Sequence, residues 1–140
     1  MIMGIADAVK PVKEVALTEL ADAFLDNLHV VSWGTPGAED ADTIAVTLQI
    51  QNPLDADVVC VERLRLTCTT GGTLSLVPDG NGEVLQGSGT DDMIIETDEV
   101  TGSFDLLVSD AAAETITVVA GVTQGSGICV CSMTVDCVFE

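Results

Sequence analysis

Residues 43–51, "TIAVTLQIQ", alternate without a break: Ile44, Val46, Leu48 and Ile50 on one side, Thr43, Ala45, Thr47, Gln49 and Gln51 on the other. A period of two belongs to a β-strand, because successive side chains leave opposite faces. An apolar face backed by a mostly polar one is the pattern of an antiparallel sheet lying on a core. The run ends in "NPLDAD" (52–57), which has turn composition. Next comes "VVCVERLRLTC" (58–68), with Cys60, Leu64, Leu66 and Cys68 on one face and Val59, Val61, Arg63 and Arg65 on the other.

The same texture runs outward from there. "HVVSW" (29–33), "TLSLV" (73–77), "EVLQ" (83–86), "MIIET" (93–97), "SFDLLVS" (103–109) and "ETITVVA" (114–120) all read as short strands. Loops such as "TPGAEDAD" (35–42), and "PDGNG" (78–82) with a hairpin turn at Asn81-Gly82, separate them. Many short strands at this spacing predict a mainly β chain, an antiparallel β-sandwich of Ig-like or jelly-roll-like kind.

The closing "GICVCSMTVDCVFE" (127–140) is rich in thiols but alternates in the same way, placing Cys129, Cys131, Met133, Val135, Cys137 and Phe139 on one face. A long last strand with all five cysteines of the chain turned inward, as small apolar groups, is the expectation. Disulfides are disfavoured by the odd count and by the geometry of neighbours on one strand. Zinc would ask for C-x2-C pairs or histidine partners, and the chain has one histidine, His29, so no metal ligands are assigned.

The first 28 residues differ. An apolar arm runs to Pro11, and "VKEVALTELADAFLDNL" (12–28) has helical periodicity, with Leu17, Leu20, Phe24 and Leu28 on one stripe. The expected division is an arm and one α-helix over 1–28, then a sandwich over 29–140. Lys10, Lys13, Leu17, Leu20, Phe24 and Leu28 are the candidate contacts with a partner or a second copy.

Composition limits function. Twenty-three acids face four lysines and arginines, a net charge of −19, which repels phosphate backbones and excludes nucleic acid as a partner. No segment approaches the ~20 apolar residues of a membrane span. Lys10 and Lys13 follow the first apolar stretch rather than precede it, so a signal peptide is not expected and a cytoplasmic product is.

Candidate chemistry is thin. "DGNGE" (79–83) opens like a calcium loop, but Val84 and Thr90 stand where that loop needs Gly and Glu, which leaves only weak cation binding among Asp79, Asp91 and Asp92. His29 lies in the apolar run "LHVVSW", with no spacing that suggests a triad. No phosphate-binding, dinucleotide or nucleophile-elbow fingerprint occurs. No catalytic residue and no cofactor is assigned, and enzyme activity is not expected.

"ADTIAVTLQIQNPLDADV" (41–58) and "GEVLQGSGTDDMIIETDEVTGSFDLLVSDAAAETITVVA" (82–120) together resemble the Ig-like domains of tailed-phage virion proteins, notably head decoration (cement) and minor structural proteins. They are similar, more loosely, to bacterial Ig-like repeats of surface adhesins. The likeness covers about residues 42–120 and rests on strand and turn texture, including "TDEVTGSFDLLVSD" (97–110). It implies a structural protein of the virion, assembled in the host cytoplasm. Such a protein binds the major capsid protein or other virion proteins, often as a homo-oligomer. The alternative is an adhesion or carbohydrate-binding module of a tail fibre or cell surface, for which one Trp and no Tyr is a poor supply of stacking groups.

Overall fold

A computed structural model describes residues 28–122, 128–129 and 133–140 of the chain. Ten strands follow one another: β1 (Leu28–Trp33), β2 (Thr43–Gln51), β3 (Arg63–Cys68), β4 (Thr73–Leu76), β5 (Glu83–Gln86), β6 (Asp92–Glu96), β7 (Ser103–Ser109), β8 (Thr115–Val122), β9 (Ile128–Cys129) and β10 (Met133–Val138). They form two five-stranded sheets, in the orders β4-β7-β2-β1-β9 and β10-β8-β3-β6-β5. Every pairing is antiparallel except β1 with β9, which is parallel.

The register follows from the alternation. β2 lies against β7 with Ile44 opposite Val108, Val46 opposite Leu106 and Leu48 opposite Phe104. One frame of each strand therefore turns inward, and a one-residue slip of either strand would send its three of these side chains to solvent. The facing sheet supplies Leu64, Leu66, Met93, Ile95, Ile116, Val118 and Cys137, so both sheets share one core. Each large apolar side chain buried there contributes roughly 1.5–3 kcal/mol of transfer free energy.

The fold departs from the sequence pattern at five places. The strand expected over 58–68 begins only at Arg63. Upstream, the Thr97 hydroxyl donates to the Cys60 carbonyl and accepts from the Glu62 N–H, taking backbone groups that a strand would use in its ladder. Leu28 is the first residue of β1, paired with Ile128, and not the last turn of a helix; the rest of the expected helix and arm, including Lys10, Lys13, Leu17, Leu20 and Phe24, lies outside the described residues. The closing strand is divided: β9 belongs to one sheet and β10 to the other. Val135, Cys137 and Phe139 do face inward, whereas Met133, at the first position of an edge strand, is exposed. Finally, "PDGNG" is no hairpin. It carries the chain from β4 in one sheet to β5 in the other, closed by the Gly80 N–H donating to the Val77 carbonyl.

The described thiols, Cys60, Cys68 and Cys137, are free. Cys137 is fully buried, while Cys60 and Cys68 are half-buried, less enclosed than the sequence pattern suggests. Burial pushes each of the three up to about 11, with nearby acids adding to the shift. At mildly alkaline pH all three should therefore alkylate slowly in the folded protein and promptly after unfolding. Peptide-resolved labelling should find Cys137 the slowest; labelling of Cys137 at its unfolded rate would contradict its inward placement.

Candidate functional site

The most unusual group inside the sandwich is polar. His29 shares the inward frame of β1 with Val31 and is 7% exposed. Glu62 immediately precedes β3 and continues the inward frame of Leu64 and Leu66, so its side chain is fully enclosed at 0%. His29 Nδ1 and Glu62 Oε1 meet at 2.5 Å, a separation at which one proton is held between them. β1 is in one sheet and Glu62 leads into the other, so the contact ties the two layers together. A buried carboxylate costs several kcal/mol in desolvation unless it is paired, and this pairing offsets that cost.

The contact is held in place by its backbone. Thr97, itself buried, returns a second bond to Glu62, its N–H donating to the Glu62 carbonyl at 3.0 Å. Cys60 completes the group, with Sγ 3.8 Å from His29 Nδ1. Its thiol is raised first by desolvation and then by the Glu62 charge. Parallel pairing with β9 sets Cys129 opposite His29 in register. The second carboxylate oxygen, Glu62 Oε2, is buried and has no hydrogen-bond partner among the described residues.

Gly102 fixes the loop that carries Cys60. Its φ is +69°, and a Cβ there would stand 2.0 Å from the Val58 carbonyl oxygen and 3.3 Å from the Cys60 nitrogen. Gly102→Ala should therefore lower stability by about 1–3 kcal/mol, read from denaturant unfolding, since backbone rather than a pliable side chain must move. An unchanged midpoint would contradict this close approach.

Chemically, the group offers one nitrogen, one sulfur and one carboxylate oxygen, all within 4.8 Å of one another. It is not built as a cysteine–histidine–acid relay. There the acid holds one ring nitrogen while the other faces the nucleophile. Here Glu62 and Cys60 converge on the same Nδ1. The thiol is also raised, the opposite of an activated nucleophile.

The surface is acidic. Both described arginines are engaged with acids: Arg63 with Glu96 at 2.6 Å, and Arg65 with Asp92 through two bonds of 2.8 and 2.5 Å. That engagement takes Asp92 out of the cation-binding set suggested with Asp79 and Asp91. Three large exposed apolar side chains lie on two connections that meet at Gly102 and Val58, with Leu54 71%, Val59 60% and Val100 72% exposed. Both tips are braced. The Asn52 carboxamide oxygen accepts the N–H groups of Leu54 and Ala56. The Asp98 carboxylate accepts those of Val100 and Thr101, which holds its carboxyl below the usual range. Trp33 is half-buried and its indole N–H donates to the Met133 carbonyl. Among the described residues no helix is long and apolar enough to cross a membrane.

No protein-family model and no curated protein matches the chain. Among solved structures it is similar to a conjugative transposon lipoprotein from Bacteroides eggerthii DSM 20697, at 13% identity and a TM-score of 0.41, covering 80% of this chain and 96% of that one.

Proposed function

We propose that this protein is a structural, surface-binding module, and in its most concrete form a head decoration protein of a tailed phage, held to the capsid by protein–protein contacts. The observation that carries the reading is that Leu54, Val59 and Val100 stand 60–72% exposed on the 52–62 and 97–102 connections of an otherwise acidic sandwich, two connections that meet where Gly102 approaches Val58 and Cys60. An apolar patch rimmed by polar residues marks an interaction surface. A strongly acidic body suits a protein that crowds a particle without taking up nucleic acid. Strand order supports the Ig-like version of the fold. β1-β2-β7-β4 against β10-β8-β3 has the ABED and GFC order of the seven-stranded immunoglobulin sandwich, with the β5-β6 hairpin added beside β3.

Mass spectrometry of purified particles tests the reading. The chain should be present in a copy number that is a multiple of the shell symmetry. Leu54→Asp with Val100→Asp should strip it from particles while leaving its unfolding midpoint unchanged. Its absence from particles, or full retention of the double variant, would overturn the assignment. Binding on a glycan array would favour an adhesion module instead.

A further inference from the structure

We propose that His29, Cys60 and Glu62 form a binding site for a divalent transition metal, with zinc the ion that fits the donor set best. Three observations converge. First, the three donor atoms come from two parts of the fold, His29 on β1 and Cys60 and Glu62 on the lead into β3, and lie within 4.8 Å of one another. In tetrahedral zinc geometry, sulfur and nitrogen ligands stand about 3.6 Å apart, and a nitrogen and an oxygen about 3.3 Å. Cys60 Sγ and His29 Nδ1 are already 3.8 Å apart. The 2.5 Å contact between Nδ1 and Oε1 must open to admit the ion.

Second, Glu62 is wholly enclosed, yet its Oε2 has no hydrogen-bond partner among the described residues. A buried carboxylate with one oxygen left over is costly for a purely structural clamp. A cation between the donors would use the carboxylate charge fully.

Third, the charges balance. A neutral imidazole, a carboxylate and a thiolate around a divalent ion sum to zero, which suits an enclosed position. Binding displaces the thiol proton and the proton held between Nδ1 and Oε1. Mixed nitrogen, sulfur and oxygen donors match zinc, whereas calcium and magnesium call for oxygen alone. Three protein ligands leave a fourth position for a further donor or a water. Cys60 is half-buried, the least enclosed of the three donors.

The full chain, stripped with a chelator, would be titrated with zinc and with cobalt(II) near neutral pH. One equivalent of zinc should bind and raise the melting temperature. Cobalt should give a thiolate-to-metal charge-transfer band and shift the ring protons of the sole histidine. Cys60→Ser, which keeps the His29–Glu62 contact and so the fold, should lose the band and bind zinc at least about tenfold more weakly. Cys68→Ser should keep both. Failure of the wild-type chain to take up one equivalent, a band that survives Cys60→Ser, or histidine protons that do not respond would overturn the proposal and leave the group a structural clamp only. None of these outcomes bears on particle binding.

Discussion

His29→Leu should cost about 3–5 kcal/mol, because it leaves the enclosed Glu62 carboxylate with neither oxygen partnered among the described residues. Against a total of about 5–15 kcal/mol for a domain, that is a large part of the folding free energy. Urea unfolding of the metal-free protein is the measurement, with a lowered midpoint and an unchanged slope. The partner experiment is more telling. His29→Leu combined with Glu62→Leu removes both polar groups and replaces them with side chains that pack. The double variant should recover most or all of the loss, because a buried pair often contributes no more than its apolar replacement. The two substitutions are thus strongly non-additive. A single variant within about 0.5 kcal/mol of wild type would mean that Glu62 is reached by water.

Phe104→Ala should cost a similar amount, about 3–5 kcal/mol, for a different reason. Phe104 is the largest fully buried side chain among the described residues, on β7 opposite Leu48 of β2. Its ring also fills the space beside Gly82, where a Cβ would stand 2.5 Å from Cδ2. Removing the ring leaves a cavity between a backbone turn and two central strands, none of which can easily collapse into it. Calorimetry should find a large drop in melting temperature. A cost below about 1 kcal/mol would mean that the 77–82 connection moves in to fill the gap, as a readily collapsing site would allow.

The contrast between these two residues describes what the chain makes legible. Phe104 lies in the alternating "SFDLLVS", and alternation alone places it inward with Leu106 and Val108. The same holds for Ile44, Val46, Leu48 and Ile50, whose strand has the bounds read from the sequence. Period two is a local property, so it survives without knowledge of partners. His29 and Glu62 are 33 positions apart, and Cys60 and His29 are 31 apart. No short-range spacing can bring them together; only the crossing of β1 over the lead into β3 does.

One signal was nevertheless present. Glu62 falls on the apolar face between Cys60 and Leu64, and an acid in that frame has to be paired inside the fold. His29, in the inward frame of "LHVVSW", is the matching oddity. Two polar residues in apolar frames are mutual candidates even when nothing in the chain gives their distance. The early end of the 58–68 strand was less accessible, since it depends on the hydroxyl of Thr97 and the close approach of Gly102.

The polar tie between the two sheets holds the layers together, and the chain's single histidine makes it directly observable. Nitrogen-resolved NMR of the metal-free protein reports the proton on His29 Nδ1. A strongly downfield proton that exchanges slowly with water and is lost in Glu62→Leu is the expected result. A rapidly exchanging ring proton at an ordinary shift, indifferent to Glu62, would contradict it.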